Sequence, residues 1–308
     1  MSLLTVGSVA FDAIETPFGK TDKIIGGAGT YIALASSFFV NDQKIVAVVG
    51  DDFPQSMLDT LRSRGVDLSG LQIKKGEKTF FWSGRYHNDM NSRDTLVTEL
   101  NVLEHFDPIL PASYQSTQYL MLGNLSPQVQ RTVIERLENR PKLIAMDTMN
   151  FWMDIAKDEL LHTLSMIDLL IINDEEARQL SGEYSLLKAA RVIRDMGPKY
   201  LIIKKGEHGA LLFHGDQIFF APALPLEEVF DPTGAGDTFA GGFMGFLAAT
   251  DDISFENMKR AIIAGSALAS FCVEKFGTER LTEITKAELE QRIDEFVSLS
   301  AFEMAQSI

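Results

Sequence analysis

Continuous apolar stretches of strand length recur along the chain, at residues 3–9, 45–49, 119–122, 143–146, 169–172 and 200–203. Segments with helical spacing alternate with them. Residues 53–64 form one. Residues 126–139 form another, with Ser126 as N-cap and Pro127 at the first helical position. Residues 185–196 form a third, stopped by Gly197 and Pro198. Strands that are apolar at every position must be covered on both faces, so the pattern predicts an α/β fold with a mostly parallel sheet between helices. Ligands of such sheets bind beyond the C-terminal ends of the strands. Two regions break the alternation. Residues 12–25 follow the first strand without a helical pattern. Residues 79–102 hold two strand-like segments, 79–86 and 94–102, joined by the polar turn His87-Asn88-Asp89-Met90-Asn91. A small β-layer apart from the main sheet is expected there.

The segment with the most chemistry is Asp231-Pro232-Thr233-Gly234-Ala235-Gly236-Asp237-Thr238-Phe239, which runs into the apolar stretch 239–249. Glycine lets the chain turn sharply, and the first N–H groups of a helix lack intrahelical partners. With the helix dipole they form a pocket for an anion such as a phosphate. Asp237 stands at its mouth, where a carboxylate can take a proton from an attacking hydroxyl. The plainer alternative is a tight turn with an Asp satisfying loose N–H groups. Gly241, Gly242 and Gly245 follow inside the expected helix. Each costs about 1 kcal/mol against alanine, so close packing must compensate.

This segment resembles the C-terminal signature of the ribokinase-like (PfkB) carbohydrate kinases. Gly26-Gly27-Ala28-Gly29 is similar to the N-terminal Gly-Gly motif of that family. Asn173-Asp174-Glu175-Glu176 resembles its Asn-x-x-Glu motif, and Lys205-Gly206-Glu207-His208-Gly209-Ala210 its Gly-x-x-Gly turn. The four motifs stand in the family's order across nearly the whole chain.

The resemblance implies a single ribokinase-like domain over residues 1–308, with lid segments at about 12–25 and 79–102 closing over an acceptor substrate. It implies ATP-dependent phosphorylation of a hydroxyl of a small sugar or sugar-like compound, or of a nucleoside; the alternative from another class is a non-catalytic ligand-binding module of the same fold. Asp237 would be the general base, and the amides of Gly234, Ala235, Gly236 and Asp237 the anion hole. Asp12, Gly26, Gly27 and Tyr31 would meet the acceptor. Tyr31 stands where the family usually has Asn, and Ala10 replaces a second family Asn, departures that leave ribose or fructose in question. Lys204, Gly206, Gly209 and Ser266 would lie on the ATP side. The family more often has threonine and leucine before that glycine, and either Lys204 or Lys205 could meet phosphate. Asn173 and Glu176 would position Mg2+, mostly indirectly, although their spacing also suits a helix cap. Asp231 and Thr233 would hold a monovalent cation such as K+, or simply fasten a turn. A homodimer through the lid is also implied. Phe80, Phe81, Trp82 and Tyr86 in the lid could stack on a base or pack the lid.

Composition narrows the classes. The 308-residue chain is 45% hydrophobic and 23% charged, as globular proteins are. Its formal net charge of −15, without a long basic cluster, argues against nucleic acid and anionic membranes as partners. The single cysteine, Cys272, excludes an internal disulfide. The N-terminus lacks the basic and long apolar regions of a signal peptide, so a cytoplasmic enzyme is expected. Five histidines are scattered without metal-ligand spacing. Two nucleotide motifs fail. Gly19-Lys20-Thr21 lacks the P-loop glycine, since residue 14 is isoleucine, and Gly27-Ala28-Gly29 lacks the third dinucleotide glycine, since residue 32 is isoleucine.

Overall fold

Alternate side chains of the apolar strands enter two different cores. Leu120, Leu122, Ile144, Met146, Leu170 and Ile172 join one, and Tyr119, Met121, Leu143, Ala145, Leu169 and Ile171 join the other. Neither face meets water, which is why the runs carry no polar alternation. The computed structural model describes residues 1–301. In chain order the first half contains β1 (Leu3–Val6), β2 (Ala10–Thr16), β3 (Gly19–Lys20), β4 (Ile24–Gly26), α1 (Ala28–Ser36), β5 (Gln43–Gly50), α2 (Gln55–Ser63), β6 (Val66–Lys74), β7 (Phe81–Tyr86), β8 (Arg93–Glu99) and β9 (Tyr119–Leu122). Then follow α3 (Pro127–Arg136), β10 (Leu143–Asp147), α4 (Asn150–Ile155), α5 (Lys157–Leu164), β11 (Leu169–Asn173), α6 (Asp174–Ser181), α7 (Leu186–Asp195), β12 (Tyr200–Lys204), β13 (Ala210–His214) and β14 (Gln217–Ala221). The chain continues with α8 (Ala235–Thr250), α9 (Phe255–Cys272), α10 (Glu279–Glu283) and α11 (Lys286–Ser300).

The main sheet has nine strands in the order β14-β13-β12-β11-β10-β9-β1-β5-β6. Strands β12 to β6 along this order are parallel, and the β13–β14 hairpin adds an antiparallel edge. One face is covered by side chains of α3, α5, α6 and α7, the other by those of α1, α8 and α9. A second, five-stranded sheet joins β3, β2, β7 and β8, with β4 on β2. Both irregular regions of the sequence contribute to it. The first strand is shorter than the pattern of residues 3–9 implies. It ends at Val6, and Ala10 already belongs to the second sheet. Asp12 is therefore a lid-strand residue instead of one that follows the first main strand. Among the described residues, no helix is long and apolar enough to cross a membrane.

The glycines of α8 are explained by its neighbours. A methyl on Gly241 would lie 2.5 Å from the carbonyl oxygen of Ile32, and one on Gly245 2.8 Å from Cα of Ser36. The helix thus lies against the backbone of α1, and this fixes where its N-terminus points. Gly241→Ala should gain helix propensity yet lose roughly 1–3 kcal/mol overall, because the two backbones must separate. A melting temperature equal to or above that of the wild type would contradict this packing account.

Candidate active site

The signature segment begins with a turn. Ala235 N donates to the carbonyl of Pro232 at 3.2 Å, and Gly234, with φ 75° and ψ −1°, has the left-handed conformation of the third residue of a type II turn. That conformation favours glycine, and the ring of Tyr31 lies directly over the place where a side chain would project. Helix α8 starts at once. Because the Ala235 amide is spent on the turn, the free amides are those of Gly236 and Asp237, which donate to no acceptor among the described residues. This narrows the anion hole expected from Gly234, Ala235, Gly236 and Asp237. Gly236 has no left-handed backbone. Its lack of a side chain instead makes room for Lys204, whose Nζ would lie 2.7 Å from a methyl placed there.

Asp237 sits in the first turn of α8, and its Oδ1 is enclosed without a hydrogen-bond partner. Burial raises its pKa from 3.8 to about 7. Repulsion from Asp147 adds to this, and Lys204 and Arg93 oppose it. Asp147, not singled out from the sequence, ends β10 on the same edge as Asn173 at the end of β11 and Lys204 at the end of β12. The register pairs Asn173 with Lys204. Lys204 Nζ lies 3.6 Å from Asp147 Oδ2. Lys205 turns the other way, with Nζ 6.0 Å from the Phe220 ring.

Asn173 and Glu176 form a capping box for α6. Glu176 N donates to Asn173 Oδ1 and Asn173 N donates to Glu176 Oε2, both at 2.8 Å. Glu176 is buried, and burial followed by the field of Asp147 raises its pKa to about 7. The cap therefore exists, and it holds a carboxylate beside the Asp147–Lys204 pair. Asp231 accepts N–H groups from Thr233 at 2.9 Å and Gly277 at 2.8 Å, one on each oxygen, and so fastens the turn. Thr233 Oγ1 donates to Tyr86 Oη at 3.1 Å, which ties the lid to the anion-hole turn. A second tie joins Thr16 Oγ1 to the carbonyl of Phe230 at 3.0 Å.

Asp12 is 5% exposed, and its carboxylate lies over Cα of Gly26. Burial raises its pKa to about 7, helped by Asp231 and Asp237 and opposed by the N–H of Gly27. Gly27, at φ 91°, starts α1 against the carbonyl of Ser8. Asp12 is in register with Trp82 on β7, so the two share a face of the lid with Tyr86. Tyr31 is buried against Gly234, its hydroxyl unpartnered. On the other side, Gly206 and Gly209 bracket the turn between β12 and β13. Asn91 Oδ1 of the lid turn comes within 2.6 Å of the place a Gly206 methyl would take. Ser266, half-buried on α9, makes no side-chain hydrogen bond among the described residues. Arg93, the first residue of β8, is also absent from the sequence-based candidates, although its field reaches both Asp237 and Glu176.

Free helix amides beside an enclosed carboxylate, at the C-terminal edge of a parallel sheet roofed by a second sheet, define a small-molecule kinase of the ribokinase fold. The chain belongs to the pfkB family of carbohydrate kinases, whose sequence profile matches residues 2–285. It is a phosphotransferase with an alcohol group as acceptor. A cytidine kinase of Thermococcus kodakarensis is 32% identical over 248 residues, covering 79% of this chain and 87% of that protein. A nucleoside kinase of Methanothermobacter thermautotrophicus is 28% identical over 295 residues, covering 90% and 91%. The crystal structure of Methanocaldococcus jannaschii nucleoside kinase superposes with a TM-score of 0.76 at 20% identity, covering 96% of this chain and 98% of that one.

The raised carboxylates set the pH response of the unliganded protein. A group whose folded pKa exceeds its unfolded value favours folding below the unfolded pKa, and that contribution is lost as pH rises through the folded pKa. For Asp237 the window runs from about 4 to about 7. Asp237→Asn should therefore melt roughly 2–8 °C above wild type near pH 8 and converge with it near pH 4. Parallel melting curves at all pH values would show that Asp237 is not desolvated.

Proposed function

We propose that the chain is an ATP-dependent nucleoside kinase in which Asp237 accepts the proton of a ribose hydroxyl as the γ-phosphoryl group passes to it. The observation that carries this reading is the enclosed, unpartnered Asp237 Oδ1 beside the free amides of Gly236 and Asp237. The acceptor oxygen forms a bond to γ-phosphorus, the bond from phosphorus to the bridging oxygen of ADP breaks, and the proton goes to Asp237. Little covalent work falls to the protein in such transfers, so position and charge stabilisation dominate. The amides meet charge on the transferring group. A carboxylate with a pKa near 7 suits proton transfer at neutral pH.

Asp12 would accept hydrogen bonds from neighbouring hydroxyls. The ring of Trp82 folds over Gly84 on the same lid face and is half-buried, with Arg93 Cζ 5.9 Å from its centroid, and it would offer its ring to stack on a base. This arrangement, with the cytidine and nucleoside kinases among the relatives, favours a nucleoside over a free sugar. A sugar or polyol is the second reading, since Asp12 needs only vicinal hydroxyls. The Gly206–Gly209 turn would form the ATP side, with Ser266 on α9 as a further contact.

A divalent ion fits the donor set. Glu176 and Asn173 each commit one side-chain oxygen to the cap, and Glu176 keeps its second. Among the described residues there is no cluster of three or more ligating side chains. Mg2+ commonly takes most of its ligands from phosphates and water, with one or two carboxylates, and Glu176 would act through that water. Such an ion neutralises phosphate charge when bound.

Asp237→Asn should lower turnover about a hundred- to ten-thousandfold while leaving ATP affinity within a few-fold. Near wild-type turnover would remove Asp237 from the mechanism. A second pair of variants tests the acceptor. Asp12→Ala should weaken nucleoside and sugar binding alike by about ten- to a hundredfold. Trp82→Ala should weaken nucleosides about two- to tenfold and leave ribose unaffected. Equal losses for cytidine and ribose in Trp82→Ala would favour the sugar reading, and unchanged acceptor affinity in Asp12→Ala would move the pocket elsewhere.

A further inference from the structure

Lys204 carries its charge to a place where the fold already supplies positive potential. The N-terminal end of a helix repels a cation. Yet Lys204 Nζ lies against Gly236, in the first turn of α8. Its side chain is only 18% exposed. The groups facing it are Asp147 at the end of β10, Glu176 on α6 and Asp237 on α8, and their fields keep it protonated against the cost of burial.

The pairing with Asp147 is loose. At 3.6 Å it is longer than the about 2.7–2.9 Å of a charge-assisted hydrogen bond. Asp147 gives its other oxygen, Oδ1, to Thr148 N at 2.8 Å. Two further buried atoms around this pair, Thr148 Oγ1 and Asp237 Oδ1, have no partner. An ammonium group with three donors thus has one distant acceptor, and it faces two amides with none. A simple counter-ion for Asp147 would not need to lie at a helix N-terminus. An anion between Lys204 and the amides of Gly236 and Asp237 would satisfy donors on both sides and remove the repulsion.

We propose that Lys204 is a tethered cation that leaves Asp147 to grip the terminal phosphate of ATP, with Asp147 as the positioning residue that holds it at the anion hole beforehand. The proposal rests on the phosphoryl-transfer reading and extends it. Lys204 stays protonated throughout. It neutralises charge on the γ-phosphate as the bond to ADP breaks, and the acceptor's proton still goes to Asp237. When product leaves, the ammonium group returns to Asp147.

Calorimetric titration with adenylyl imidodiphosphate and with AMP tests it. Lys204→Met alone strands the Asp147 carboxylate and could unfold the protein, so the informative variant is the double one, K204M with D147N, in which both charges are gone. It should bind adenylyl imidodiphosphate about ten- to a hundredfold more weakly than wild type, with AMP affinity within threefold. Asp147→Asn alone keeps the cation and removes its competitor. It should bind the triphosphate analogue at least as tightly as wild type, with a lower kcat and no rise in the KM for ATP. Wild-type affinity for the analogue in the double variant would overturn the proposal and leave Lys204 as a counter-ion. An unchanged kcat in Asp147→Asn would overturn the positioning role of Asp147. Failure of the kinase reading itself looks different, because the wild type would then not bind the analogue at all.

Discussion

The backbone contact between α1 and α8 governs the rest of the site. Gly241 and Gly245 let α8 approach until it meets the main chain of Ile32 and Ser36. The same approach places the Tyr31 ring against Gly234, so the anion-hole turn is held from beneath by an aromatic side chain. With α8 fixed in that way, the amides of Gly236 and Asp237 point toward the ends of β10, β11 and β12. Each glycine in α8 weakens the isolated helix by about 1 kcal/mol against alanine. The loss is offset by a contact that sets the direction of the helix dipole.

Charge is the second constraint, and it opposes the first. Asp12, Asp147, Glu176, Asp231 and Asp237 are all buried or largely enclosed, and burial raises every one of their pKa values. Lys204 is the cation set among them. Such an arrangement is poor for the stability of the empty protein, because ionised carboxylates there lack water and lack sufficient partners. On the proposed reading it suits ligands that bring hydroxyls to Asp12, a proton to Asp237 and phosphate oxygens to Lys204. The local electrostatics therefore follow the reaction more closely than they follow the fold.

The alternation of apolar runs was enough to foresee a parallel sheet covered on both faces, because buried strands cannot hide their composition. The two irregular segments were legible as a separate β-layer for the opposite reason, since half-exposed strands carry polar residues. The antiparallel β13–β14 edge was not foreseen. Its strand Gln217–Ala221 is apolar after the first residue, yet Ile218 and Phe220 are exposed, so it shows neither the full burial of the parallel strands nor the polar alternation of a half-exposed one. Within the candidate site, the glycine signature, Asn173, Glu176 and Lys204 converge, and each belongs to a short motif. Asp147 and Arg93 carry no motif. Asp147 ends an apolar strand like many surface turns, and only the neighbouring strand ends bring Lys204 to it. Arg93 sits in a polar hairpin, and only the folding of that hairpin over the sheet gives it a field at Asp237. At Gly236 it is small size and not a left-handed backbone that matters, because a lysine from another strand occupies the space.

The lid connects these parts. Its face carrying Asp12, Trp82 and Tyr86 meets the anion-hole segment through Tyr86 and Thr233, and its turn reaches Gly206 through Asn91. An acceptor lying between Asp12 and Trp82 would therefore contact the same strands that support Thr233, three residues before the free amides begin. Binding the acceptor and shaping the anion hole are then one packing problem, because Tyr86 cannot move away from the acceptor face without releasing Thr233. On the proposed reading, this coupling would limit the access of water to a bound γ-phosphate. With the lid strands displaced, Thr233 would lose its side-chain hydrogen bond to Tyr86 while its N–H stays bonded to Asp231. On the proposed mechanism, preference for an alcohol over water would thus depend on ties such as Tyr86–Thr233 that join the second sheet to the segment before α8.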